Sequence, residues 1–388
     1  MMLIPYGKQS IDKEDKKIVL NSLSQSIITG GGIYQKKLEI SLTNYLNSKY
    51  AITCSSGTAA IHMALKAIGC KKGDKIIMPC INFISSYNIS RILELDIYLA
   101  DVDAATGQLT SKTIHNCVKK NNLKNIKAII VMYLGGYTYN ISEIYNLKKK
   151  FNCFLIEDAC HAFGTSYIIN KKKYKVGSCK HADISTFSMH PVKSITSAEG
   201  GILTTNNRLF FKKALGFKSH NLIKDSKKHW KYKIKEPGLN YRLSDINCAL
   251  AYSQLKRISK FLSKRKEIYK RYKEAFSKIN NKILNILEFS NNVNPSFHLF
   301  VIFIDFKKIK KKKDEFIRYL KKNNIFVQYH YIPIYKFDIY TKKNKTFINN
   351  FKGSETFYKK AISLPIYYDL NVKDQNKVIT KIFEFIKL

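Results

Sequence analysis

Lys193 stands apart from the other lysines of the chain. It lies in Ser188-Met189-His190-Pro191-Val192-Lys193-Ser194-Ile195-Thr196, among small and apolar residues, whereas the runs at 148–150, 171–173 and 310–313 keep their lysines in charged surroundings. Burial in such a setting disfavours the ammonium and frees a neutral amine, the form that acts as a nucleophile. A second segment, Phe154-Leu155-Ile156-Glu157-Asp158-Ala159-Cys160-His161, is an apolar strand that ends in two acids, small residues and a histidine. Alternation along a strand sends Glu157 and Asp158 to opposite sides, which leaves Glu157 for a structural hydrogen bond. His161 reads equally well as a satisfied core histidine. A third segment, Ser55-Ser56-Gly57-Thr58, follows a strand and opens a helix of small residues. Unpaired N–H groups at the positive end of such a helix suit a phosphate, although the same residues also serve simply as an N-cap.

These groups need strands that end at one rim, since open α/β sheets take their ligands at the carboxyl ends of strands. Apolar runs without clean alternation predict strands over 50–54, 75–79, 96–100, 128–134, 153–158, 184–188 and 201–205. Helical patterns over 34–47, 59–67, 84–93 and 141–151, and from residue 208, lie between or beside them. A capped helix after Asp12 is expected to run to Gly30-Gly31-Gly32. Beyond residue 218 come a polar stretch, one long helix over 244–279, and then strand, helix, short strand and closing helix. The prediction is an α/β large domain (1–240) with a mixed, mostly parallel sheet, and a smaller C-terminal α+β domain (241–388). A length of 388 residues, more than one core usually fills, agrees with that division.

The formal charge of +40 is the anomaly of the composition. Nucleic-acid binding, adaptation to an anionic ligand or membrane face, and a plain compositional bias toward lysine all account for it. The lysines are spread along the whole chain, which favours compositional bias over a nucleic-acid reader with its Arg and aromatics in one module. Eight cysteines without a C-x-x-C pair argue against zinc or redox motifs and for buried thiols in a reducing compartment. No metal site is expected. With no leader-like start and no apolar run long enough to span a bilayer, the chain reads as cytoplasmic, without a membrane partner.

Taken together, the segments resemble the sugar-nucleotide aminotransferases of the DegT/DnrJ/StrS family. The likeness runs from about Ile4 to the C-terminal helix. It is carried by Thr29-Gly30-Gly31, Ser56-Gly57-Thr58-Ala59-Ala60, Glu157-Asp158-Ala159-Cys160-His161-Ala162, Phe187-Ser188 and Lys193, Ala198-Glu199-Gly200-Gly201 and Gly238-Leu239-Asn240-Tyr241-Arg242-Leu243. The resemblance implies the type I fold of pyridoxal-phosphate-dependent transferases, as in aspartate aminotransferase, with pyridoxal 5'-phosphate as cofactor. It implies that Lys193 carries the cofactor as a Schiff base and moves protons, and that Asp158 pairs with the ring nitrogen. Gly57, Thr58 and Ser188 would hold the phosphate, Phe83 would stack on the ring, and His161 would replace a glutamine beside the 3-hydroxyl. Asn240 would reach the neighbouring subunit's cofactor, which makes the enzyme a homodimer with active sites at the interface. Thr29, Gly30, His190, His330 and Tyr331 would line the substrate side.

Relatives that remove the 3-hydroxyl carry histidine in place of this lysine, so Lys193 implies transamination. The segments 187–196 and 327–335 and the opening 11–17 look like the subgroup of pseudaminic acid biosynthesis, which serves flagellin or surface polysaccharide. That subgroup moves an amino group, usually from glutamate, to C4 of a UDP-linked 4-keto-6-deoxy-N-acetylhexosamine of L-altro type. Alternatives are another 4-keto sugar (bacillosamine, legionaminic acid or perosamine type), or a nucleic-acid-binding protein on a degenerate aminotransferase scaffold.

Overall fold

In the computed structural model, which describes residues 3–225, 227–228, 230–280, 282–341 and 351–387, the apolar runs of the first half become one sheet. Its strands are β1 (Tyr50–Cys54), β2 (Lys75–Pro79), β3 (Asp96–Ala100), β4 (Ile126–Met132) and β5 (Phe154–Asp158), followed, after a rim hairpin of β6 (Ser166–Ile169) and β7 (Lys172–Lys175), by β8 (Ile184–Ser188) and β9 (Gly201–Thr205). The order is β1-β9-β8-β5-β4-β2-β3, with β9 antiparallel to both neighbours and the rest parallel. Central strands such as β4 and β9 are buried along nearly their whole length, which is why their sequences lack alternation.

Helices cover both faces: α1 (Lys13–Leu23), α2 (Ile33–Leu46), α3 (Gly57–Ala67), α4 (Ser85–Ile92), α5 (Ser111–Lys120), α6 (Ile141–Lys150) and α7 (Arg208–Phe217). α1 begins in the expected capping box, Asp12 with Asp15, but ends at Leu23 rather than at the glycines. Ser24, Gln25 and Ser26 follow, and serine side chains compete with the helix for backbone hydrogen bonds. α5 was not expected. Only Ile114 and Cys117 of it are buried, too few to print an apolar period, and its start rests on a Thr110/Thr113 capping box.

The long helix predicted over 244–279 is two helices, α8 (Asp245–Lys256) and α9 (Ile258–Phe276). The break is at Arg257, whose guanidinium leaves the helix line to pair with Asp12 at 2.6 Å and with Asp15. A hairpin of β10 (Leu222–Lys224) and β11 (Tyr232–Ile234) occupies the polar stretch before them. Farther on, β12 (Leu284–Ile286), β14 (Phe300–Ile304) and β15 (Ala361–Leu364) form a separate antiparallel sheet, while β13 (Val293–Asn294) joins the β6–β7 hairpin. Tyr272, Phe276, Phe300 and Phe316 pack a second core between this sheet, α9 and the helices Lys313–Lys322 and Val372–Lys387.

The N-terminal segment is stitched to the C-terminal part of the chain. Phe326 N–H donates to the Ile4 carbonyl at 2.9 Å and Ile366 N–H to the Tyr6 carbonyl at 3.1 Å. All eight cysteines are free, and all but Cys160 are buried. Among the described residues no helix is long and apolar enough to cross a membrane, and no cluster of metal-ligating side chains occurs.

Candidate active site

A cavity of about 460 Å³ opens where the parallel strands end, between the main sheet and the segment 328–332. Each strand delivers one part of it. β1 runs into Ser56, whose hydroxyl accepts from Ala59 N–H at 3.0 Å and caps α3. This leaves the first N–H groups of α3 at the cavity wall, beside Gly57 and Thr58. Gly57 faces the end of β8 so closely that a Cβ there would lie 2.9 Å from Ser188 Cβ and 3.3 Å from Cys160 Sγ. Glycine is therefore needed for the approach of backbone to Ser188, and Gly201 serves likewise, since a Cβ on it would lie 2.1 Å from the Ser56 carbonyl oxygen.

β5 supplies the carboxylates, and the alternation read from the sequence is what positions them. Glu157 points to the buried side, taking hydrogen bonds from Tyr133 Oη at 2.9 Å and from the Ser185 hydroxyl. Burial pushes its pKa up, against the lowering effect of those bonds. Asp158 lines the cavity. A short chain holds it: Asn82 Nδ2 donates to Ser86 Oγ at 3.4 Å, and Ser86 Oγ donates to Asp158 Oδ2 at 3.3 Å.

Lys193 reaches the same cavity from the loop after β8. Met189 N–H donates to Gly200 O at 2.8 Å and Ser197 N–H to Met189 O at 3.0 Å, so the loop is closed on itself. Desolvation is the main influence on the Lys193 amine and lowers its pKa; Cys160 and Asp158 oppose this, and Arg265 reinforces it. Three imidazoles surround the amine. His161 and His298 have ring centroids 4.2 Å apart, and His330 lies 5.9 Å from His161. Burial, with the nearby Lys193 charge, holds all three neutral, His330 down to about 3.

Phe83, His190 and Tyr331 also line the cavity, with the Phe83 ring 5.7 Å from that of Tyr331. Thr29, Gly30 and Asn240 do not. Gly30 packs instead on Arg242, where a Cβ would meet Arg242 Cβ at 2.9 Å, so the 29–31 loop and the 240–242 segment meet outside the cavity. Among the lining residues that the sequence reading did not single out are His298, just before β14, and Tyr6, brought in by the N-terminal stitch. Their sequence neighbourhoods carry no signal, because only the tertiary fold brings them here.

The cavity is built for a polar ligand. Asn82 Oδ1 and His298 Nδ1 are buried without a partner among the described residues, and buried polar atoms of this kind call for one. A helix N-terminus suits an anionic end, a carboxylate suits a protonated ring nitrogen, and a desolvated amine suits an aldehyde carbon. Residues 9–383 match the DegT/DnrJ/EryC1/StrS aminotransferase family.

The chain belongs to this family. UDP-4-amino-4,6-dideoxy-N-acetyl-beta-L-altrosamine transaminase of Campylobacter jejuni subsp. jejuni serotype O:23/36 (strain 81-176) is 34% identical over 385 residues, covering 99% of this chain and 98% of its own. GDP-perosamine synthase of Escherichia coli O157:H7 is 30% identical over 343 residues, 88% of each chain. Among solved structures, Helicobacter pylori PseC, an aminotransferase involved in the biosynthesis of pseudoaminic acid, superposes with a TM-score of 0.90 at 28% identity over all of both chains. As a family member the protein is a pyridoxal-phosphate-dependent aminotransferase acting on a nucleotide sugar, with the type I transferase fold. The cavity residues fit that cofactor in size, charge and reactive groups.

Proposed function

We propose that the enzyme transfers an amino group from an amino acid, glutamate, to C4 of a UDP-linked 4-keto-6-deoxy-N-acetylhexosamine of L-altro configuration, the amino sugar that feeds pseudaminic acid. The observation that carries the reaction is the meeting of the Lys193 amine and the Asp158 carboxylate in one cavity at the N-terminus of α3. The sugar is supported by the full-length likeness to the Campylobacter transaminase and to PseC. The likeness to GDP-perosamine synthase favours a second reading, a GDP-linked 4-keto sugar.

In this reading the α3 N–H groups, Thr58 and Ser188 bind the cofactor phosphate, and Phe83 packs against the ring. Asp158 keeps the ring nitrogen protonated. When bound, the cofactor supplies an electron sink for the carbanion formed at the substrate carbon. Lys193 Nζ, whose pKa burial lowers, takes the proton from the amino-acid Cα and returns one to C4 of the sugar. His190, His330 and Tyr331 orient the sugar from the opposite wall. The three neutral imidazoles hydrogen-bond without adding charge that would compete with Asp158.

The remaining parts of the reading concern assembly. Asn240, Thr29 and Gly30 would act on the neighbouring subunit's site, in a homodimer. The β10–β11 ribbon supports this, since Ile223, Trp230, Tyr232 and Ile234 on it are exposed, and a lone two-stranded ribbon is marginally stable in water. The chain would divide near residue 240, with α8 the part of the second unit that lies against α1 and α2. The test is direct: incubation with glutamate and the UDP-linked L-altro 4-keto sugar should give the 4-amino sugar by NMR. Turnover of a GDP-linked 4-keto sugar alone would overturn the substrate assignment.

A further inference from the structure

Arg265, on α9, is 3% exposed and has no carboxylate partner among the described residues. Its Nη1 donates to the carbonyls of Ile366 at 2.9 Å, His298 at 3.3 Å and Phe297 at 3.4 Å; its Nη2 donates to the Val192 carbonyl at 3.4 Å. Buried charges are normally paired, so four carbonyls without a carboxylate call for an explanation. Burial lowers the Arg265 pKa only to about 10, so the guanidinium stays charged at neutral pH. Behind the active-site loop, Arg265 and Lys193 line the same small cavity, about 10 Å³, with Gln254, Thr196 and Tyr368. Arg265 thus shares with Lys193 a cavity that Asp158 does not line, and it is bonded to the residue just before the lysine.

We propose that Arg265 is a positioning residue for Lys193, aiming it through the Val192 carbonyl and holding a permanent positive charge behind its amine. A fixed cation disfavours a second one nearby, so more of Lys193 is neutral at a given pH. The direction matches the lowering effect of Arg265 on Lys193. The other ionisable groups that line the two cavities with Lys193 are Asp158 and Cys160 at the end of β5, His161, His190, His298, His330, Glu199, Tyr6, Tyr329 and Tyr331 on one side, and the exposed Lys8 with Tyr368 on the other. Asp158 and Cys160 favour the ammonium, and His161, His298 and His330 are neutral, which leaves Arg265 as the buried cation that opposes it. A carboxylate partner on Arg265 would cancel this effect. The proposal deepens the reading of Lys193 as the reactive amine, and it is tested without turnover so that the two can fail separately.

The test is competitive labelling of amines with acetic anhydride across pH on the cofactor-free protein, with the Lys193 peptide quantified by mass spectrometry. Arg265→Gln should raise the Lys193 labelling midpoint by about 0.5–1 pH unit. Arg265→Lys, which keeps the charge, should leave the midpoint near that of the native protein. An unmoved midpoint in Arg265→Gln, or equal shifts in both variants, would make Arg265 a structural clamp and overturn the proposal. Circular dichroism checks folding, with Arg265→Met replacing a Gln variant that does not fold. The native protein gives a variant-free arm. A buried cation is beyond the reach of counterions, so the midpoint should hold between 0.1 and 1 M salt; a midpoint that rises with salt would assign the effect to the lysine-rich surface instead.

Discussion

The Tyr331 hydroxyl lies 2.8 Å from Nε2 of His161, and Nδ1 of the same imidazole receives the Gly135 N–H at 3.4 Å. With Nδ1 accepting, a neutral His161 carries its proton on Nε2 and donates it to Tyr331. The tyrosine proton is then free to donate into the cavity. Tyr331→Phe should keep the fold and weaken cofactor or sugar binding about 2–10-fold, the worth of one neutral hydrogen bond. His161→Gln, which retains a donor, should fall short of that loss. Equilibrium titration of both ligands on the two variants checks this.

Lys193→Ala should lower transamination at least about 10²–10⁴-fold, since it removes the proposed proton carrier. It should also abolish the visible band of the bound cofactor while leaving the melting temperature of the cofactor-free protein nearly unchanged. Absorbance spectra before and after glutamate, paired with calorimetry, give both readings.

Gly57→Ala places a methyl group 2.9 Å from Ser188 Cβ and 3.3 Å from Cys160 Sγ. Ser188 has to move, and overpacking of this kind costs about 1–3 kcal/mol. Because Gly57 and Ser188 both line the cavity at the end proposed to hold the phosphate, cofactor affinity should fall more than stability does. Gly201→Ala, whose methyl would meet the Ser56 backbone itself, should be the more damaging for folding.

Acid should unfold the protein through the buried imidazoles. His161, His298 and His330 have folded pKa values below the ordinary value of 6.5, His330 at about 3, chiefly through desolvation. Below pH 6.5 the unfolded chain takes up protons that the folded chain refuses, so stability falls as pH drops from there toward the folded values. Each histidine adds a slope of up to about 1.4 kcal/mol per pH unit across its window. Urea denaturation at pH 7, 6 and 5 should show the fall, and His298→Gln should make it shallower.

Much of the sheet was legible because its strands are buried on both sides and their apolar runs stop where the strands stop. β1, β2, β3, β8 and β9 have the predicted ends. Helix ends were less legible: Arg257 breaks an otherwise continuous helical pattern by turning toward α1, a long-range ion pair that no local pattern carries. The same contrast holds around the cavity. Asp158, Gly57 and Lys193 sit in segments that the sequence reading quoted and the family resemblance joined, whereas Tyr6, His298 and Arg265 acquire their places only from contacts between distant parts of the chain. Asn240, Thr29 and Gly30, singled out through the family resemblance, lie outside the cavity.

The N-terminal stitch orders events during synthesis. Tyr6 lines the cavity wall, yet the backbone partners of Ile4 and Tyr6 are Phe326 and Ile366, more than 300 positions later. At about 5–20 residues per second, those partners leave the ribosome tens of seconds after the first segment does. Every strand of the main sheet is complete by residue 205, so the loop carrying Lys193 is made and placed long before its wall exists. For that interval Lys193, the amine proposed to be reactive, lacks the wall that Tyr6 and the segment 328–332 later supply.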